Sequence, residues 1–408
     1  MKVAIIGGGA AGFFAGIHAA YQEGTQVTIF EKSSQLLAKV KVSGGGRCNV
    51  THACFQASAL SKHYPRGEKF LKKAFGHFMT KDTIKFFEDR GVELKTEEDG
   101  RMFPTTDDSQ TIINCLMAEA KKLGVMIRHK YEVTKLTPQE GGGYQLQFKA
   151  GEEAYFDRVI ITTGGSPKIT GLQWLKNLGL AVESPVPSLF TFNMPGDPIR
   201  GLMGLSVPQA RVKVIGSKLA AEGPLLITHW GMSGPAVLRL SAWGARELSD
   251  RQYHFQVAVS WVTDRKEEEL RTYIQQVKQE MGNRKVVNKN PFQLPSRLWN
   301  HLLEKIELDA EARWNDLSKK SLNRLINTLL ADEYEVKGKT TFKEEFVTCG
   351  GVSLQEINVK RMESKQLPGL FFAGEVLDID GITGGFNFQA AWTTGYLAGT
   401  AAGAFNEE

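Results

Sequence analysis

Four cysteines in 408 residues (Cys48, Cys54, Cys115 and Cys349) are too few and too scattered for a disulfide scaffold, and no Cys-x-x-Cys pair offers a zinc ribbon or a dithiol redox centre. No apolar run reaches the roughly 18 residues that a membrane-spanning helix requires, so no membrane association is expected. The apolar opening at residues 3–6 is broken by Gly7-Gly8-Gly9, well short of a signal-peptide core, and a reducing cytoplasm is the expected location. Neither sign of charge is much in excess: 50 Lys and Arg against 45 Asp and Glu leave +5, which demands no polyanionic partner. His-Glu-x-x-His, clustered Cys/His and Asp-rich loops are missing, as is any internal repeat, so no metal and no solenoid are expected. Glycine is what the chain has in quantity, 42 residues, many of them in clusters.

Residues 1–31 read as one βαβ unit: a β-branched strand at 3–6, an Ala-rich helix at 10–23 and a strand at 27–30 ending at Glu31. Residues 112–123 look helical, 125–133 extended, and 144–148 and 159–161 read as further strands. Five prolines between 184 and 208 suggest a domain crossing. Residues 264–335 are amphipathic and helical in pattern, and the end repeats a strand (370–373), a glycine-rich loop and a helix (388–402).

Gly7-Gly8-Gly9-Ala10-Ala11-Gly12 is a G-x-G-x-x-G between a strand and a helix. Gly7 permits the tight turn, Gly9 lets the backbone approach a pyrophosphate, Gly12 lets helix and strand pack, and the helix N-terminus faces the phosphates. Glu31 stands where a carboxylate accepts the ribose hydroxyls, which disfavours a 2′-phosphate and hence NADP in this site. Two more strand-to-glycine turns, Thr163-Gly164-Gly165 after 158–161 and Gly374-Glu375 after 370–373, resemble those of two-dinucleotide-fold flavoproteins similar to glutathione reductase. Three such elements in this order favour FAD over NAD. That resemblance implies an acid on the ribityl arm. It is usually Asp, and here Glu375 or Asp378 would serve.

Three further segments narrow the resemblance: Ser43-Gly44-Gly45-Gly46-Arg47-Cys48-Asn49, Thr228-His229-Trp230-Gly231-Met232-Ser233-Gly234-Pro235, and Gly381-Ile382-Thr383-Gly384-Gly385-Phe386-Asn387-Phe388-Gln389-Ala390. They resemble, in order and nearly end to end, the markers of flavoproteins often called the HI0933-like or YhiN family. The resemblance implies an α/β fold with a Rossmann-type FAD-binding domain from residues 1–188 and 346–408, a β-rich middle domain at 189–263 and a helical subdomain at 264–345. It also implies an FAD-dependent oxidoreductase, with NADH or NADPH as a transient reductant, since no second G-x-G-x-x-G exists. Relatives linked to bile-acid intermediate reduction and to aminoacetone oxidation leave the substrate open. The expected cofactor contacts are Gly7, Gly9, Ala10, Ala11, Gly12, Glu31, Lys32, Lys39, Ser43, Gly44, Gly45, Gly46, Arg47, Cys48, Asn49, Val133, Thr163, Gly164, Gly165, Gly374, Glu375, Asp378, Gly384, Gly385, Phe386, Asn387, Gln389 and Ala390.

The residues suggest roles for several of these. Gly44–Gly46 expose backbone N–H groups, Arg47 offers positive charge to the flavin pyrimidine, and Asn49 offers a donor to a flavin carbonyl. Cys48 beside Arg47 lacks a resolving partner, so packing suits it better than redox chemistry. His229, in a glycine-rich loop, is the acid/base candidate, with Arg47 as the second catalytic candidate. Gly231-Met232-Ser233-Gly234 lacks G-x-S-x-G spacing, which excludes a hydrolase elbow. Residues 31–81 carry ten Lys and Arg against two acids, with Phe70, Phe75 and Phe78 interleaved. A solvated helix face with buried aromatics explains that segment better than a nucleic-acid surface. A small-molecule substrate is therefore expected. A tRNA-modifying flavoprotein and a non-catalytic flavin-binding or redox-sensing protein are the alternatives.

Overall fold

The computed structural model describes residues 1–341 and 347–404. Strand Lys2–Ile6, helix Ala10–Ala20 and strand Gln26–Glu31 form the opening βαβ unit, the helix stopping three residues before its pattern suggests. Five parallel strands lie in the order Leu370–Phe372, Arg158–Ile161, Lys2–Ile6, Gln26–Glu31, Met126–His129. Two short antiparallel strands, Ile357–Asn358 and Glu363–Ser364, extend one edge. Ile5 sits between Ile160 and Ile29, and all three are fully buried, as continuous apolar strands in a doubly covered parallel sheet must be. Strand Lys2–Ile6 continues to one side through the Ala10–Ala20 helix, while its other neighbour comes from much later in the chain. The carboxyl end of that strand is therefore the switch point, where such sheets leave a crevice for ligands.

The Phe386–Gly403 helix lies on the Ala10–Ala20 helix with glycines at the seam. A Cβ at Gly395 would fall 2.9 Å from the Ala11 carbonyl oxygen, one at Gly399 would overlap that of Ala15, and one at Gly403 would fall 2.7 Å from that of Ala19. Both sets advance by four residues in the same sense, so the two helices run parallel with their backbones in contact. Three smaller antiparallel sheets accompany the parallel one: Val133–Pro138 with Tyr144–Phe148 and Glu153–Phe156, Thr51–His52 with Arg101–Pro104 and Leu94–Thr96, and Val182–Ser188 with Val347–Val352.

The chain divides into two compact units, Met1–Ser188 with Phe342–Glu408, and Leu189–Thr341. The second contains a seven-stranded sheet, ordered Asp332–Lys337, His254–Ser260, Ser206–Val214, Ala220–Ile227, Gly231–Ser233, Thr191–Asn193, Lys339–Thr340. Two expectations change here. Asp332–Lys337, placed in a helical stretch, is a strand on His254–Ser260, with Asp332, Tyr334 and Val336 buried and the residues between them exposed. The expected division at 263/264 has no counterpart, because Val259 and Leu270 belong to one hydrophobic cluster that also holds Trp299 and Trp314. The expected boundary at 345/346 lies outside the described residues. Among the described residues, no helix is long and apolar enough to cross a membrane, and no three His, Cys, Asp or Glu side chains gather as metal ligands.

Candidate functional site

The glycines of the opening motif have different jobs. A Cβ on Gly12 would overlap the Gly7 carbonyl oxygen, so the fold itself needs that glycine. A Cβ on Gly9 would meet nothing within 4 Å. Gly9 caps the Ala10–Ala20 helix, so the open space lies at a positive helix end lined by unsatisfied N–H groups. Glu31 borders this space: its Oε2 accepts from the Gly8 N–H at 2.9 Å and its Oε1 from the Ser33 N–H at 2.8 Å. Each carboxylate oxygen keeps accepting capacity for a ribose hydroxyl. The Tyr131 N–H bonds the Glu31 carbonyl at 2.9 Å, which brings Val133 close to this end, while Lys32 is exposed beyond it.

The parallel helix pair sets the length of the crevice. Phe386 lies nine residues before Gly395, whereas Ala10 lies one before Ala11, so the later helix overhangs the earlier by eight residues, roughly 12 Å at 1.5 Å per residue. That suits the reach from a pyrophosphate through a five-carbon ribityl arm to the ring it carries. Along the way, Cβ atoms built on Gly45, Gly46 and Gly164 would also meet nothing within 4 Å. Gly44, Gly45 and Gly46 have φ of 59°, 70° and 87°, a left-handed run that only glycine adopts without strain. An acid for adenosine, a helix end for phosphates and an open glycine path to a second helix N-terminus together fit FAD.

Several side chains expected on the cofactor are engaged elsewhere. Asn49 is buried; its amide oxygen accepts from the Gly385 N–H at 2.9 Å and its NH2 donates to the Thr51 carbonyl at 3.0 Å. It shapes the Gly385 turn in place of the expected bond to a flavin carbonyl. Asn387 clamps Gly381, accepting from its N–H at 2.8 Å and donating to its carbonyl at 3.0 Å. Gln389 is fully buried and accepts from Thr51 and Thr83 hydroxyls, so it is a core residue. Arg47 is not held out towards a ring: it bonds Glu97 at 2.6 Å and lies 4.0 Å over Phe103. Glu97 beside it raises its pKa further, and it stays charged. Cys48 is fully buried, and desolvation pushes its thiol up to about 12 although the Ser43 hydroxyl pulls the other way, which makes it inert.

The acid at the second turn is Glu375. Its Oε2 takes the Lys39 ammonium at 2.6 Å, its Oε1 accepts from the Thr348 N–H at 2.8 Å, and a Cβ at Gly165 would lie 2.5 Å from Oε1. Asp378 lies away from that turn, its N–H on the Val352 carbonyl and its charge raising the pKa of Asp380. Thr163 is exposed directly after Thr162, whose hydroxyl donates to the Gly7 carbonyl at 2.9 Å. Gly374 approaches the fingerprint itself: a Cβ there would lie 2.8 Å from that of Ala11. Ala390 is buried one turn into the Phe386–Gly403 helix.

His229 belongs to the second unit, at an exposed hairpin tip between Ala220–Ile227 and Gly231–Ser233. Its ring leans on Trp230 at 4.7 Å and its carbonyl accepts from Arg200 at 2.7 Å. In the basic segment Lys62, Lys69, Lys72 and Lys73 are exposed while Phe75 and Phe78 are buried. Sequence reading missed His52 and His63, which meet at Phe386, and the buried Asp380, which accepts from Arg66 and, at 2.6 Å, from Ser188. Burial pushes the Asp380 carboxyl up to about 6 against the pull of Arg66. His52 and His63 lie far in sequence from Phe386, as do Arg66 and Ser188 from Asp380, so no local spacing could have flagged either cluster.

Residues 1–401 match the family model described as "HI0933-like protein Rossmann domain". The chain is 30% identical to the ribosomal RNA dihydrouridine synthase of Escherichia coli (strain K12), over 96% of its own length and 95% of the relative's. It is 28% identical to the 3-dehydro-bile acid delta(4,6)-reductase of Clostridium scindens, over 98% of both chains. In fold it resembles the 3-ketosteroid-delta4-(5alpha)-dehydrogenase of Rhodococcus jostii RHA1, with a TM-score of 0.51, 14% identity, and coverage of 99% of this chain and 97% of that one. The chain belongs to the HI0933-like family of FAD-dependent oxidoreductases, and its Rossmann-type FAD-binding domain is the expected one.

Proposed function

We propose that this HI0933-like oxidoreductase reduces a carbon–carbon double bond conjugated to a carbonyl, and that its substrate is a uracil ring of ribosomal RNA. The observation that carries the reading is the overhang of the Phe386–Gly403 helix, which gives a flavin ring a defined end in the crevice. The chemistry comes from the relatives. Making dihydrouridine saturates the uracil C5=C6 bond, which is conjugated to a carbonyl, and a delta(4,6)-reductase acting on a 3-dehydro steroid works on the same electronic unit.

Bound FAD would supply the hydride. The chain's own groups do the rest. Gly9 and the helix behind it hold the pyrophosphate, Glu31 holds the adenosine ribose, and Lys39 with Glu375 fixes the Gly164–Gly165 turn beside the ribityl arm. Asn49 and Asn387 hold the Gly381–Gly385 loop rigid at the ring end. The RNA substrate, proposed here in place of the small molecule expected from the sequence, rests on the 30%-identical ribosomal RNA dihydrouridine synthase; the exposed Lys62, Lys69, Lys72 and Lys73 would be available to its phosphates. A nicotinamide nucleotide serves as a transient reductant.

The test is an anaerobic absorbance titration of the FAD-loaded protein with NADH and NADPH. Ribosomal RNA lacking dihydrouridine, or a 3-keto-Δ4,6 steroid, is then added. Bleaching near 450 nm followed by reoxidation with RNA supports the proposal. Reoxidation by the steroid alone moves the substrate to a small enone. Flavin that no nucleotide bleaches overturns the reductant.

A further inference from the structure

His52 and His63 meet at the end of the crevice where the ring would lie. His63 stacks on Phe386, with ring centroids 4.2 Å apart and planes 16° from parallel; His52 lies 4.6 Å from the same ring and 6.0 Å from His63. Phe386 is the first residue of the overhanging helix, so both imidazoles sit at its N-terminal tip. His52 Nδ1 is 3.1 Å from the Gly384 carbonyl, which can only accept, so the proton of His52 resides on Nδ1. Its Nε2 edge faces the Gly100 turn, where a Cβ would lie 2.7 Å away. His52 is thus wedged between two loops. His63 is anchored through its main chain, its carbonyl accepting from the Ile382 N–H at 3.0 Å, and its half-buried ring lies flat on Phe386.

Reduction of a conjugated double bond needs two deliveries. A hydride adds to the β-carbon, the C=C pair moves to the α-carbon, and a proton must reach that carbon. We propose that His63 is the proton donor. The inference rests on the reductase reading above: reduced flavin would supply the hydride, a ring nitrogen of His63 would give up the proton, and water would restore that proton after turnover. Neighbouring groups are poorer acids. Tyr64 is fully buried and donates to the Phe386 carbonyl at 2.7 Å, Arg47 stays charged, and Asp380 is enclosed with Arg66 and Ser188.

Two measurements test the assignment. The first uses wild-type protein stripped of FAD and treated with diethyl pyrocarbonate, with modification at His63 followed by mass spectrometry. Added FAD should slow that modification at least fivefold, while the exposed His229 serves as the reference. Equal rates with and without FAD would remove His63 from the ring end and overturn the proposal. The second compares His63→Gln with wild type in two half-reactions. Reduction of bound flavin by dithionite should be unchanged, while reoxidation by the RNA or the steroid probe should slow by roughly a hundredfold, the usual contribution of a positioned acid. Reoxidation of the variant at the wild-type rate overturns the donor role alone. A wild-type protein that neither probe reoxidises overturns the reductase reading and this assignment with it.

Discussion

Gly399 and Ala15 touch backbone to backbone: a Cβ on Gly399 would overlap the Ala15 carbonyl oxygen and lie 2.9 Å from its carbonyl carbon. Neither helix can retreat easily, because Phe14 and Trp392 interlock beside the seam with centroids 5.2 Å apart. Gly399→Ala should therefore destabilise the fold by roughly 1–3 kcal/mol or more, the range for overfilling a close-packed contact. Thermal unfolding in the absence of FAD measures it. An unchanged Tm would mean that the helices separate more freely than this contact implies.

Gly9 and Gly12 should respond oppositely to the same substitution. Gly9 has φ −91° and open space around its missing Cβ, so Gly9→Ala should leave the melting temperature of FAD-free protein within a degree or two of wild type. The methyl would occupy the room a pyrophosphate needs, and the Kd for FAD should rise at least tenfold, about 1.4 kcal/mol. Gly12→Ala should instead lower the amount of folded protein before any cofactor is added. Fluorescence titration of FAD alongside thermal melts separates the two.

His18 should make stability depend on pH. It is buried, and desolvation lowers its pKa from 6.5 to about 4, opposed by the hydrogen bond of Nδ1 to the Phe14 carbonyl at 2.7 Å and by Glu119, and aided by the Arg90 charge. The folded state therefore binds the proton less readily than the unfolded state. The stabilisation is complete above pH 6.5 and disappears as pH falls towards 4, roughly 3 kcal/mol over the window. His18→Leu should flatten the urea-midpoint profile between pH 7 and pH 4.5. A variant as pH-sensitive as wild type would assign the slope to other groups.

Cys48 should be silent towards alkylation in the folded protein. With its thiol pushed up to about 12, roughly one molecule in ten thousand carries the thiolate at pH 8. Iodoacetamide should reach the half-buried Cys54 first, as peptide mapping would show. Rapid labelling of Cys48 would reveal an opening of the Ser43–Asn49 loop.

The parallel sheet and its glycine turns were legible because strand burial and phosphate-binding turns impose local residue types: β-branched runs at 3–6 and 159–161, and Gly7, Gly9 and Gly12 between them. Asp332–Lys337 carried a period-two pattern, yet its position straight after the Lys319–Ala331 helix let the helical reading run through it. Side-chain roles were harder to read than glycine roles. Asn49, Asn387 and Gln389 are polar residues in a cofactor motif, and the sequence cannot distinguish a bond to a ligand from a bond to Gly385, Gly381 or Thr83. Asn387 and Gly381 are six residues apart, but Asn49 and Gly385, like Gln389 and Thr83, meet only after folding. The same applies to His52, His63 and Phe386, which no spacing rule connects.

The pairing of Ile161 with Phe372 has a consequence for biosynthesis. All of Leu189–Thr341 must be translated between those two strands, and the glycine-seamed helix follows later still. During synthesis the Arg158–Ile161 strand therefore waits with one hydrogen-bonding edge bare, while the intervening unit already has its own complete core and can fold. Cofactor capture is thus a late event, and a ribosome stalled before residue 370 should hold a chain that no amount of FAD can turn yellow.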